Sequence, residues 1–207
     1  MKRRLLFIVL VVIVLIAGLL VVHITRPAWY VRLLPASIAR RMYPLNHGAT
    51  IVEAARKYRL DPALVAAVIY EESRFRQSTI SARGAIGLMQ LLPSTAREIA
   101  RNTGGDKFVV GDLTEARINI LYGCNYLRYL LDQFGGSTTA AVAAYNAGVA
   151  NVREWIARQG GRPLRSADIP FAETRSYVSH VSLTTTVYRR AYGAELGAAP
   201  AGFAAIR

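Results

Sequence analysis

Two neighbouring glutamates, Glu71 and Glu72, are the side chains whose spacing most clearly predicts chemistry. The apolar residues between Leu64 and Ile69 recur at helical spacing and form a stripe on one helix face. At about 100° per residue, Glu72 continues that stripe near its centre, whereas Glu71 falls toward its edge. We therefore expect Glu72 to point into the protein or a cleft, and Glu71 to reach water. Burial would raise the pKa of Glu72 and make it a proton donor near neutral pH.

Glu72 has no obvious carboxylate partner in the sequence. Glycosidases usually employ two carboxylates, one as acid and one as base or nucleophile. Helix phase alone leaves open that Glu72 turns to solvent or pairs with Arg74 or Arg76. His47 and His180 lack metal-ligand spacing to other such residues, so no metal site is predicted. Four aspartates occupy capping or polar-face positions: Asp61, Asp106, Asp112 and Asp132.

The elements that position these residues are predicted to be helices. Asp61-Pro62 begins the helix that carries Glu72, since Asp caps helices and Pro suits their first position. No alternating run is long enough to predict a strand, so the fold class is mainly α. A loop containing Ser81, Gly84 and Gly87 follows that helix. Other helices are predicted over 50–58, from Pro93 to Gly104-Gly105, over 114–134, around Tyr145 and Trp155 on either side of Gly148, and over 172–192.

The first residues are far more apolar than the rest of the chain. Residues 5–22 follow Lys2-Arg3-Arg4, carry no charged side chain and, at ~1.5 Å per residue, approach the thickness of a bilayer core. The run is longer than the core of a signal peptide and no Ala-x-Ala follows, which favours an uncleaved transmembrane anchor over a cleaved signal. The basic cluster predicts a cytoplasmic N-terminus, which places the remainder on the extracytoplasmic side.

Four segments follow from these features. We predict a cytoplasmic tip and anchor over 1–25, a juxtamembrane linker over 26–46, one domain over 47–193 and a flexible tail over 194–207. The lone Cys124 cannot form an intramolecular disulfide and is expected to be buried.

The net charge of +13 suggests an anionic partner, although a solvated positive surface explains it equally well. Outside the membrane, a wall polymer with carboxylates or the membrane surface fits better than nucleic acid. The arginines are scattered and form no basic helix, so no nucleic-acid partner is expected.

Four blocks of this sequence closely resemble, in the same order, the signature blocks of the soluble lytic murein transglycosylases, glycoside hydrolase family 23. The resemblance covers 49–192 and includes Asn119 and Tyr126-Leu127. It implies a lysozyme-like catalytic domain that uses no metal or organic cofactor. The blocks are Glu72-Ser73-Arg74-Phe75, the run from Gly84 to Ala96, Ala144-Tyr145-Asn146-Ala147-Gly148, and Glu173-Thr174-Arg175-Ser176-Tyr177-Val178.

The resemblance also implies roles for individual residues. Glu72 corresponds to the catalytic glutamate, and Ser81 to a serine that faces the reacting sugar. Met89 and Gln90 would line the groove, and Glu173 would line its far wall. The residues expected to bind substrate are Ser73, Ser81, Met89, Gln90, Tyr145, Asn146, Glu173 and Tyr177.

The resemblance further implies that one glutamate acts twice on the MurNAc-β-1,4-GlcNAc bond of peptidoglycan. Glu72 would protonate the leaving oxygen and then, as a carboxylate, activate the C6 hydroxyl of the sugar to give a 1,6-anhydro end. Two alternatives stay open: a goose-type lysozyme, in which water completes the reaction, and a non-catalytic wall-binding scaffold. The expected partners are glycan strands and, through the anchor, the cytoplasmic membrane, while a wall-synthesis complex stays open as a protein partner.

Overall fold

The computed structural model describes residues 35–197. Residues outside this range are the predicted anchor, residues 26–34 of the predicted linker, and residues 198–207. Within 35–197, no helix is both long and apolar enough to cross a bilayer.

The described part of the chain is mainly α, which confirms the predicted fold class. Its strand-like pairing is limited to two isolated bridges, in which Ile86 pairs with Ile80 and with Leu91. Two short 3₁₀ helices cover Val110–Thr114 and Ser166–Asp168. The α-helices are α1 (Ala36–Met42), α2 (Gly48–Lys57), α3 (Pro62–Ser73), α4 (Pro93–Thr103), α5 (Ala116–Gln133), α6 (Thr138–Ala147), α7 (Val149–Arg158) and α8 (Ala172–Tyr192).

Helix α3 lies at the centre of the fold. It begins as predicted, because the backbone N–H of Ala63 donates to the Asp61 carboxylate at 2.9 Å and Pro62 occupies the first turn. Every residue from Ala63 to Ile69 is buried. The helix therefore has no wide solvent face along most of its length. The single apolar stripe inferred from its sequence accounts for only part of the surface that it buries.

The domain begins before residue 47, where the sequence placed its start. The Tyr192 hydroxyl donates to the carbonyls of Arg40 and Tyr43 at 3.2 and 3.0 Å, and Arg40 Nε donates to the Ala191 carbonyl at 2.9 Å. These bonds attach α1 to the end of α8. Part of the predicted linker, from residue 36 onward, is consequently folded against the last helix instead of acting as a tether.

The predicted tail also begins later than residue 194. Leu196 is only 1% exposed, and Glu195 forms an ion pair with Arg40 at 2.7 Å. Burial of the Leu196 side chain removes apolar surface from water, which holds this short segment against the domain.

Asn119, in α5, supports the loop that follows α3. Its amide nitrogen donates to the carbonyls of Ile86 and Leu113, both at 2.9 Å, and its amide oxygen accepts from the backbone N–H of Met89 at 2.7 Å. Gly87 has φ +84°, and a Cβ there would lie 2.2 Å from the Asn119 amide nitrogen. The loop can therefore approach α5 this closely only with glycine at residue 87.

Candidate active site

Glu72 lies in the last turn of α3 and faces the final helix. The Tyr177 hydroxyl, in α8, donates to Glu72 Oε1 at 2.5 Å. Burial raises the pKa of Glu72 to about 7, although the Tyr177 hydrogen bond acts in the opposite direction, and repulsion from Glu71 adds to the rise. Near neutral pH the Glu72 carboxyl therefore exists in both acid and base forms.

Two tyrosines surround this carboxyl. Burial, and then the charge of Glu72, raise the pKa of both Tyr145 and Tyr177 well above the usual value. Both phenols are neutral at physiological pH and serve as hydrogen-bond donors. The Tyr145 hydroxyl donates to the Met89 carbonyl at 2.7 Å, and its ring packs 5.4 Å from that of Tyr126. The loop after α3, helix α6 and helix α8 thus converge on Glu72.

Glu71 does not reach water as its helix phase predicted. Its side chain is only 7% exposed, accepts a hydrogen bond from the Thr184 hydroxyl at 2.7 Å and pairs with Arg74 at 3.3 Å. The prediction was wrong because α8 packs along the face of α3 that the sequence assigned to solvent. Arg74 therefore pairs with Glu71, and Arg76 donates from Nε to the Ser73 carbonyl, so neither arginine neutralises Glu72.

Ser73 and Met89, which were expected to bind substrate, are both buried. The Ser73 hydroxyl donates to the carbonyls of Ile69 and Leu88, so it fastens the end of α3 to the following loop. The Met89 side chain is 0% exposed and lies against Gly123, where an added Cβ would sit 2.2 Å from Met89 Sδ. In this conformation neither side chain is open to a ligand, and both hold the loop that follows α3 in place.

Ser81 and Gln90 lie in the loop and are partly exposed. Ser81 Oγ accepts from the backbone N–H of Ala85 at 3.0 Å. Gln90 Nε2 donates to the carbonyls of Thr79 and Gly87 at 3.0 and 2.8 Å, and the residue has φ +46°. These bonds shape the loop, while partial exposure leaves both side chains accessible from outside.

Asn146 and Glu173 lie on the two helices that meet beside Tyr177. Asn146 Oδ1 accepts from the Thr174 hydroxyl at 2.7 Å, which ties the end of α6 to the first turn of α8. Glu173 is exposed in that turn. Sequence reasoning missed Thr174 and Thr184, whose separations of three and seven residues from Tyr177 place all three on one helix face. That spacing was a signal that could have found them.

The described residues contain no group of three or more His, Cys, Asp or Glu that could hold a metal ion. Cys124 is buried and free within the same region, as expected. The arrangement around Glu72 is suited to proton transfer by a carboxyl group whose pKa is close to the working pH.

The family model described as the transglycosylase SLT domain matches residues 49–166. Among curated proteins, the soluble lytic murein transglycosylase of Salmonella typhimurium is 35% identical over 155 residues, covering 73% of this chain and 24% of that protein. The membrane-bound lytic murein transglycosylase F of Pseudomonas fluorescens is 28% identical over 160 residues, covering 73% and 30%.

Solved structures of similar proteins share this fold. An inactive mutant of the lytic transglycosylase Slt from Pseudomonas aeruginosa superposes with a TM-score of 0.67 at 34% identity, covering 76% of this chain and 25% of that one. The 70-kDa soluble lytic transglycosylase of Escherichia coli gives a TM-score of 0.70 at 29% identity, covering 79% and 27%. The chain thus spans about a quarter of the length of these relatives.

Proposed function

This chain belongs to the transglycosylase SLT domain family, and we propose that it is a lytic transglycosylase that cleaves peptidoglycan glycan strands, with Glu72 as both acid and base. The observation that carries the proposal is the partly exposed Glu72 carboxyl, which accepts a hydrogen bond from the Tyr177 hydroxyl and whose pKa is raised by burial to about 7. Such a group donates and recovers a proton at neutral pH.

In the first step Glu72 is the acid. The neutral carboxyl gives its proton to the glycosidic oxygen between MurNAc and GlcNAc, and the bond from that oxygen to C1 of MurNAc breaks with both electrons leaving on the oxygen. Glu72 becomes a carboxylate, which the Tyr177 hydroxyl stabilises through the bond at 2.5 Å. A hydrogen bond to a charged acceptor is worth about 1.5–3 kcal/mol.

In the second step Glu72 is the base. Its carboxylate removes the proton of the C6 hydroxyl as that oxygen attacks C1, which closes the 1,6-anhydro ring and returns Glu72 to its acid form. The nucleophile belongs to the bound sugar, so no free water molecule has to be captured and oriented. Ser81, Gln90, Tyr145, Asn146, Glu173 and Tyr177 are proposed to contact or frame the substrate, whereas Ser73 and Met89 act through the backbone around them.

A hydrolytic muramidase is the second candidate. It would need a water molecule activated on the opposite face of the sugar, usually by a second carboxylate. Glu71 is already engaged by Thr184 and Arg74 and so does not offer a free carboxylate. This engagement favours the intramolecular reaction.

The products test the proposal. Digestion of purified peptidoglycan with the full chain should release fragments with 1,6-anhydro ends, about 18 mass units lighter than hydrolysed ends because water is not added. Glu72→Gln should release none, while Glu53→Gln, at an exposed ion pair with Arg117, should act like the parent. Reducing ends in place of anhydro ends would identify a lysozyme, and no release by the parent protein would leave a wall-binding scaffold.

We also propose that residues 5–22 anchor the chain in the cytoplasmic membrane, with the domain on the extracytoplasmic side. Their length and lack of charge support this, and the similar proteins include a membrane-bound enzyme. The chain should stay in membranes through carbonate washing, and external protease should digest its C-terminal domain. A soluble form that begins near Arg26 would instead identify a cleaved signal.

A further inference from the structure

We propose that Glu71 is a positioning residue for Glu72: a buried negative charge, held in place by Thr184 and Arg74, that keeps its neighbour in the acid form. The inference rests on the proposed function, because the acid form matters only if Glu72 donates a proton. Neither the family resemblance nor helix phase assigns Glu71 this role.

Two contacts fix the Glu71 carboxylate. Thr184 Oγ1 donates to its Oε1 at 2.7 Å, and Arg74 Nη2 lies 3.3 Å from its Oε2. Thr184 and Tyr177 are seven residues apart in α8, which corresponds to two turns and about 10 Å along one helix face. The last helix therefore binds both glutamates of α3 at once, through Thr184 to Glu71 and through Tyr177 to Glu72.

Arg74 is held on the Glu71 side of the site. It ends α3 with φ 53°, and its backbone N–H donates to the Tyr70 carbonyl. Its guanidinium lies over the Tyr70 ring at 4.0 Å, and that ring packs 4.9 Å from the ring of Tyr43. Because Arg74 is occupied in this way, Glu72 gains no ion pair from it that would favour the carboxylate form.

Three phenols from the packed helices also lie near the pair. Tyr177 and Tyr188 face it from α8, and Tyr145 faces it from α6. Burial is the main cause that raises the pKa of all three, so they do not ionise where Glu72 titrates. Glu71 is thus the neighbouring negative charge and Arg74 the positive charge that partly offsets it. Burial raises the pKa of Glu72 most, the Tyr177 hydrogen bond lowers it, and repulsion from Glu71 raises it by the smallest of the three effects.

Two substitutions should shift the pH at which Glu72 loses its proton in opposite directions. Glu71→Gln removes the repelling charge but keeps an acceptor for Thr184, so Glu72 should lose its proton at lower pH. Arg74→Gln removes the offsetting positive charge, so Glu72 should keep its proton to higher pH. The basic limb of kcat/KM, measured by release of soluble fragments from peptidoglycan, should move down by on the order of half a pH unit in the first variant and up in the second. Glu53→Gln should leave the limb in place.

A titration that needs no turnover separates this inference from the proposed function. Carboxyl ¹³C resonances of labelled glutamates in the full chain can be followed with pH, and Glu72→Gln identifies the Glu72 signal by its loss. Opposite shifts of the Glu72 midpoint in Glu71→Gln and Arg74→Gln support the proposal even if no anhydro product forms. An unchanged midpoint in both variants overturns it even if the parent is fully active. If Glu71→Gln does not fold, the direction of the Arg74→Gln shift decides.

Discussion

Tyr177→Phe tests whether the Tyr177 hydroxyl stabilises the carboxylate form of Glu72. The substitution removes one oxygen that donates to Glu72 Oε1 at 2.5 Å and keeps the ring that packs beside it. A hydrogen bond to a charged group contributes about 1.5–3 kcal/mol. At 1.36 kcal/mol per pKa unit, its loss should raise the pKa of Glu72 by about 1–2 units above its present value.

The effect on the reaction has two parts of opposite sign. The acid form persists to higher pH, so the basic limb of kcat/KM should move upward. The carboxylate that forms when Glu72 gives up its proton is less stable by the same energy, so kcat at the plateau should fall by as much as about 10- to 100-fold. A falling kcat together with an upward limb distinguishes this hydrogen bond from simple loss of folding, which lowers activity at every pH without moving the limb.

The assay is the initial rate of soluble fragment release from peptidoglycan between pH 5 and pH 9. Tyr192→Phe is the matched control, because its hydroxyl also lies in α8 but donates to the Arg40 and Tyr43 carbonyls. That variant should keep the parent limb. If Tyr177→Phe also keeps the parent limb and its kcat stays within about twofold, the Tyr177 bond does not control Glu72 and the reasoning fails.

Three further predictions concern stability. Burial raises the Glu72 pKa in the folded state, so the carboxylate destabilises the fold above pH 7, and this destabilisation is lost as pH falls toward the pKa of the unfolded chain. In urea titrations, Glu72→Gln should therefore increase the free energy of unfolding by about 3 kcal/mol at pH 8 and by much less at pH 5. Equal gains at the two pH values would be inconsistent with this linkage. Gly87→Ala should cost more than about 3 kcal/mol by the same measurement, because the new Cβ meets Asn119, whereas Gly84→Ala, with φ +76° but open space, should cost about 1 kcal/mol. Ser73→Ala should cost about 1–2 kcal/mol while KM for glycan strands stays unchanged, and a large rise in KM would return Ser73 to the substrate contacts.

Local signals predicted most of the helices. The Asp61-Pro62 pair marks the start of α3, Gly104 ends α4 with φ +74°, and the last helix spans the predicted 172–192. The first two signals act within one turn of the residue that carries them, through capping and through the left-handed conformation that glycine tolerates, whereas the last helix has neither a side-chain N-cap nor a left-handed glycine at its end. Such local signals can therefore be recognised from the sequence alone.

Packing between distant segments explains the failures. Glu71 lies beside Thr184, more than 100 residues away in the sequence, and a helical wheel of α3 alone cannot show which of its faces a later helix covers. Likewise, Tyr192 binds α1 from about 150 residues away, which the proline-rich character of 26–46 does not reveal. Met89 is buried because Gly123 leaves room for it on α5. Each correction depends on which surfaces meet in the folded chain.

The balance of forces on Glu72 explains how one group could act as both acid and base. With an ordinary pKa of 4.5, only about 0.3% of the carboxyl would be protonated at pH 7, and the first step would lack its acid. With a pKa far above 7, the proton would be held too tightly to be donated well. Burial and Glu71 raise the pKa, while the Tyr177 hydroxyl lowers it, and the result is about 7. Because α8 both buries the glutamates and carries Tyr177, the position of this one helix against α3 determines both the acid strength and the base strength of Glu72.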